Sequence, residues 1–131
     1  IIKLTKFPVE TMPEDLAAAD VVVVPQRKTY TTLAQFALKV TDGMAMGKTI
    51  LSTKVGDIPE ILGDTGYLVE PDSPHEIAEQ IKLIFDNLES AKEKGRQARK
   101  RCIEKYSVEA RKTINESAIS RFQWKNYIMR C

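Results

Sequence analysis

The sequence predicts an α/β fold: part of a doubly wound, parallel sheet followed by helices. Three observations predict it. Val21-Val22-Val23-Val24 and Thr49-Ile50-Leu51-Ser52 are short, continuous apolar or β-branched runs, the mark of strands buried on both faces. Between them Leu33, Phe36, Ala37, Val40 and Met44 recur at helical spacing. Strand, helix and strand in that order imply parallel pairing through right-handed crossovers.

The elements follow in order. Ile2 to Leu4 is a short strand candidate. Thr11-Met12-Pro13-Glu14 is a capping box with Pro in the first turn, and its brief helix ends near Ala19-Asp20. Pro25 closes the valine strand. Residues 31–46 read as one helix, stopped by Gly47. After the second strand, Asp57-Ile58-Pro59-Glu60 is another capping box, opening a single turn through Leu62. Gly66 to Val69 is a short strand. Ser73-Pro74-His75-Glu76 repeats the cap signature, and Ile77, Ile81, Ile84, Phe85 and Leu88 form one stripe behind it. Ser90-Ala91-Lys92-Glu93 caps a helix to about Lys105, and Ser107 starts a last one toward Phe122. Three or four strands make half a doubly wound sheet, whose first strand is an exposed edge unless more chain extends it.

A chain of 131 residues, 43% hydrophobic and 29% charged, is sized for one domain with a real core. It is no disordered or fibrous segment. No apolar run approaches a membrane span, and no signal peptide is visible. The chain opens on Ile1 in mid-pattern, so we expect a piece of something longer. A net charge of +2 is too weak to imply nucleic acid. From Lys92 to Lys112, however, there are nine Lys or Arg against three Glu. That stretch reads as a solvated helix face or as a surface for a phosphate-rich partner or an anionic membrane. Cys102 and Cys131 form no metal or disulfide framework, a usage that fits a reducing compartment.

Open parallel sheets bind ligands beyond the carboxyl ends of their strands. Residues 25–32, 53–60 and 70–73 should converge there. The helix expected from Thr31 or Thr32 points its amino end into that region, where free N–H groups favour phosphate; both threonines read equally as simple caps. Lys39 and Asp42 share a helix face. They read as a surface ion pair or as two hands on one ligand, Lys39 on phosphate and Asp42 on sugar hydroxyls. Gly43 follows Asp42 at once. Gly56 permits close backbone approach, with Asp57 most simply the next cap. Neither a dinucleotide fingerprint nor a P-loop is present. His75 reads as an exposed polar residue, since a lone His with two distant Cys is no zinc set. Trp124 and Tyr127 read as packing residues rather than base-stacking ones.

Several segments together resemble a known family. Residues 14–25 are similar to "lAaaDvfvlPs". Lys39 to Lys48 is similar to "KlxExMAxGkP". Leu51 to Leu62 resembles "vatdvGGipEii", and Asp64 to Ile84 resembles "dgetGllvpPgdpeeLAeaI". Tyr106-Ser107 matches the start of a closing helix. In this order the segments resemble the C-terminal half of the donor-binding domain of GT-B fold, family 4-like retaining glycosyltransferases. The resemblance covers about residues 2–122.

It implies a partial Rossmann-like donor-binding domain over 1–89, with 90–131 as C-terminal helices packing on it or on a missing partner domain. It implies a glycosyltransferase, of which this chain supplies part of the donor site, passing a sugar from a nucleotide-diphosphate sugar to an acceptor with retention. Asp42 takes the place of the second Glu of the family's E-x7-E motif, the one that holds ribose hydroxyls. The first Glu falls on Ala34. Lys39 resembles the cation on the diphosphate side, and Asp57 replaces the second Gly of a Gly-Gly pair. No metal or cofactor is implied, and no catalytic residue is assigned. An N-terminal acceptor domain and upstream donor strands, or a partner chain, must complete the site. We therefore expect weak nucleotide binding and no turnover from this chain by itself. The expected location is cytoplasmic, with peripheral membrane contact through Lys92–Lys112. The competing reading is a non-catalytic α/β assembly or regulatory domain with degenerate donor contacts.

Overall fold

The computed structural model describes residues 11–112. The expectations placed on Ile2 to Leu4, the last helix toward Phe122, Trp124, Tyr127 and Cys131 lie outside them. The elements are α1 (Met12–Ala18), β1 (Val21–Val24), α2 (Tyr30–Ala34), α3 (Leu38–Ala45), β2 (Thr49–Thr53), α4 (Ile58–Leu62), β3 (Tyr67–Val69), α5 (Pro74–Asp86) and α6 (Leu88–Tyr106).

The described strands form one parallel sheet in the order β1-β2-β3. Val22 pairs with Ile50 and Val24 with Ser52, while Ser52 pairs in turn with Leu68. Because strand side chains alternate, this register sorts the core into two faces. On one, Val22, Val24, Ile50 and Leu68 meet Val40 and Met44 of α3, Ile58, Ile61 and Leu62 of α4, and Ala98 and Cys102 of α6. On the other, Leu51 and Val69 meet Ile77, Ile81 and Ile84 of α5 and Ala91 of α6. Met44, Ile50, Leu51, Ile58, Ile61, Leu62 and Ile84 are fully buried, each contributing about 1.5–3 kcal/mol by leaving water.

Helix α6 serves both faces by crossing the amino-terminal edge of the sheet. Ala91 packs on one side and Ala98 on the other. At the crossing Gly95 lies against the Gly47–Thr49 backbone, and Thr49 Oγ1 donates to Ala91 O at 2.9 Å. The basic residues of α6 are largely engaged. Arg99 donates to Ala45 O, and Arg101 to Glu60 O and Ile61 O, closing the carbonyl ends of α3 and α4. Arg96 pairs with Glu93, Lys92 lies 3.7 Å from Glu89, and Lys94 stacks on Tyr67. No described helix is long and apolar enough to cross a membrane.

Several local expectations are corrected. Residues 31–46 are two helices, because Gln35 is extended (φ −99°, ψ 130°) and Ala37 leaves helical geometry. The break turns Phe36 onto Tyr106, ring centroids 6.0 Å apart. Leu33, counted in the apolar stripe, is 44% exposed. Strand β1 is not buried on both faces: it is the edge of the described sheet, and Val23 is 38% exposed. Thr11, Asp57 and Ser73 sit at N-cap positions but make no side-chain cap hydrogen bond. Glu76 instead accepts from Glu70 N at 3.0 Å. The capping box is Thr29 with Thr32. Helix α6 starts at Leu88, ahead of Ser90, and Phe85 is 52% exposed, off the stripe. Ser107 does cap, its Oγ accepting from Ala110 N at 3.1 Å.

Candidate functional site

The three segments after the strands do converge. Ser52 Oγ donates to Val24 O at 2.8 Å and Thr53 Oγ1 to Gln26 O at 2.7 Å, which draws the end of β1 onto β2. Arg27 stands 3.8 Å from Asp72. Lys54, the first residue beyond β2, donates to Glu70 at 2.5 Å, and that hydrogen bond, with the charges of Glu70 and Glu76, raises the lysine's pKa above its ordinary value. Gly56 lies against α2: its φ is +54°, and a Cβ there would fall 3.0 Å from Thr32 O. A side chain would be strained in that conformation and would press on backbone.

The residues singled out in the sequence fall into two groups. Lys39 and Asp42, on α3, line one cleft of about 360 Å³ along the β1 edge of the described sheet, with Val22, Val23, Val24 and the Met12, Asp15 and Leu16 face of α1. Among the described residues no ion pair joins Lys39 to Asp42. Asp42 is half-buried, and its charge adds to burial in raising the Cys102 thiol pKa. Gly43 is buried beneath the cleft, where a Cβ would come 2.5 Å from Ile50 Cδ1 and 3.4 Å from Val22 Cγ1. Its role there is close approach of α3 to the sheet.

Thr31, Thr32, Gly56 and Asp57 form the second group, beyond β2, and do not line that cleft. Thr32 is the third residue of α2, not its cap, and its hydroxyl donates to Arg27 O at 2.6 Å. Thr31 and Asp57 are exposed. His75 stands 3.5 Å from Glu79 on an exposed helix face. Ala34 ends α2 and is exposed.

Sequence reasoning passed over Arg27, Lys28 and Lys54. Their signal was position, since each lies just past the carboxyl end of a parallel strand. It also passed over Met12, Leu16 and Val23, read as ordinary apolar residues. Met12, Leu16 and Val23, with Val22 and Val24, give the cleft an apolar wall, beside the Lys39 cation and the carboxylates of Asp15 and Asp42; Arg27, Lys28 and Lys54 do not line it. Such a set can cover a flat ring, attract an anionic group and accept hydrogen bonds from neighbouring hydroxyls.

A family model described as glycosyl transferases group 1 matches residues 2–87. The N-acetyl-alpha-D-glucosaminyl L-malate synthase of Bacillus anthracis is 30% identical over 102 residues, 76% of this chain and 26% of that protein. The C-terminal domain of LpcC, a glycosyl transferase group 1 family protein from Francisella tularensis, superposes with a TM-score of 0.69 at 27% identity, over 82% of this chain and 53% of that one. HepE from Anabaena, in complex with UDP, gives 0.65 at 20% identity over 83% of this chain and 30% of that one. With UDP-glucose it gives 0.63 at 20%, over 82% and 29%. At that identity the HepE likeness speaks for the fold alone. This chain thus spans about a quarter of the length of the curated relative it matches.

Proposed function

Since this chain belongs to the group 1 glycosyltransferases and has the fold of their GT-B C-terminal domains, we propose that it supplies part of the donor site of an enzyme moving a sugar from a nucleotide diphosphate to an acceptor with retention. The observation that carries this reading is the cleft that Lys39 and Asp42 line alongside Val22, Val23 and Val24 of β1. Asp42 accepts hydrogen bonds from ribose hydroxyls, and Lys39 faces the diphosphate. The apolar wall of Met12, Leu16 and the β1 valines shields the nucleoside. This reading assigns the donor-binding unit to residues 1–89, and among the described residues α6 packs on it. The complexes of HepE with UDP and UDP-glucose support a nucleoside-diphosphate ligand by likeness of fold.

Breaking the glycosidic bond builds negative charge on the leaving diphosphate, which nearby cations and N–H groups must stabilise. Lys39 is one such cation. Arg27 and Lys54 stand outside that cleft, past the carboxyl ends of β1 and β2, Lys54 hydrogen-bonded to Glu70 and Arg27 3.8 Å from Asp72. Gly56 lets backbone N–H groups approach the phosphates closely. The acceptor and the remaining donor contacts come from parts of the enzyme outside this chain, so the chain by itself binds nucleotide weakly and does not turn over.

Titration with UDP, GDP and ADP, free and sugar-linked, tests the reading. Saturable binding that disappears in Asp42→Ala is the expected outcome. Ala34, in the place of an acidic donor contact, favours a second reading, a non-catalytic assembly or regulatory domain. That reading prevails if a longer protein carrying the upstream donor half also fails to bind any of these nucleotides.

A further inference from the structure

Helix α6 grips the elements of the candidate site through two arginines. Arg99 donates to Ala45 O, at the end of the helix that carries Asp42. Arg101 is half-buried, and its Nε and Nη2 donate to Ile61 O at 2.8 Å and to Glu60 O at 2.7 Å. A planar guanidinium holding two carbonyls fixes orientation as well as distance, which an ammonium cannot do. The chain comes close to it: Gly63 has φ +57°, and a Cβ there would lie 3.0 Å from Arg101 Cζ.

Helix α4 is only five residues long, and Ile61 N donates back to Asp57 O at 2.8 Å. A single helical turn therefore separates the guanidinium from the Gly56–Asp57 turn. Asp57 supplies no side-chain cap of its own. The turn is held from one side by Thr32 O against Gly56 and from the other by α4. We propose that Arg101 is a positioning residue: acting through α4, it sets the Gly56–Asp57 turn in the place that nucleotide binding requires. The functional half of this proposal rests on the donor-site reading; the conformational half does not.

The 131-residue chain is tested by amide hydrogen exchange and by UDP titration, each variant first checked for cooperative melting. Arg101→Lys keeps the charge and loses the fork; Arg101→Gln keeps one donor and loses the charge, and stands in if the first variant fails to fold. The expected result is exchange about tenfold faster at the Ile58, Ile61 and Gly63 amides, unchanged there in Arg99→Lys, with UDP affinity about tenfold weaker. Unchanged exchange at those amides overturns the proposal without reference to any ligand. Faster exchange with UDP affinity kept, in a protein whose affinity Asp42→Ala abolishes, overturns it too, because Arg101 then only builds the fold. Affinity indifferent to Asp42→Ala, or absent both from this chain and from a longer protein carrying the upstream donor half, overturns the donor-site reading and the functional half with it; the Asp42 arm tells the two failures apart.

Discussion

Gly95 of α6 touches the backbone of Gly47 so closely that a Cβ on it would lie 2.5 Å from Gly47 O, 2.9 Å from Lys48 C and 3.0 Å from Thr49 N. This contact lets one helix pass the amino-terminal edge of the sheet and complete both core faces. Backbone cannot swing away as a side-chain tip can. Gly95→Ala is expected to destabilise the chain by about 3 kcal/mol, toward the upper end of overpacking costs. Urea unfolding measures it. A loss within about 0.5 kcal/mol, the range of neutral surface changes, would mean that α6 does not cross there.

The Lys54–Glu70 pair gives a pH dependence with a definite sign. The hydrogen bond to Glu70 and the charges of Glu70 and Glu76 raise the Lys54 pKa above 10.5. A group whose pKa is raised by folding contributes stability that is present below its unfolded pKa and is lost as pH rises through the folded one. Melting temperatures taken across the alkaline range should fall more steeply in wild type than in Glu70→Gln. Parallel curves would show that the pair adds nothing, as many exposed pairs do.

Asp42 is tied by charge to the buried thiol of Cys102. Burial raises that thiol's pKa above 9.0, Asp42 adds to the rise and Arg99 opposes it. By the same linkage, stability is lost as pH climbs beyond 9.0, because the unfolded thiol ionises first. Asp42→Asn should lower the Cys102 titration midpoint, followed through its Cβ chemical shift. A midpoint that stays put would place the carboxylate away from α6.

Much of this architecture was legible in the sequence. The valine run, Thr49 to Ser52 and Tyr67 to Val69 became parallel strands because continuous β-branched or apolar runs have little alternative between helices. Gly47 ended its helix with φ +67°. The convergence of residues 25–32, 53–60 and 70–73 followed from parallel topology alone. What stayed hidden depended on tertiary contact. No Gly or Pro marks the break at Gln35–Ala37, which is made where Phe36 meets Tyr106, some seventy residues on. Three capping-box signatures failed because Glu76 had a better partner in Glu70 N, while Thr11 and Asp57 took helical backbone angles that turn the side chain from the helix end. Within the candidate site, Lys39 and Asp42 came together as helical spacing suggested. Asp15, Met12 and Leu16 joined them only because α1 folds over the edge of β1, and no local pattern records that.

The central claim, that the Lys39–Asp42 cleft takes a nucleoside diphosphate, is tested most directly by mapping amide shifts of the isotope-labelled chain during titration with UDP. Saturable shifts centred on Val22 to Val24, Lys39 and Asp42, and lost in Asp42→Ala, are the expected result. Saturable shifts confined to the amino-terminal end of the sheet, around Gly47, Lys92 and Arg96, would contradict it, as would the absence of any saturable shift both here and in a longer protein carrying the upstream donor half.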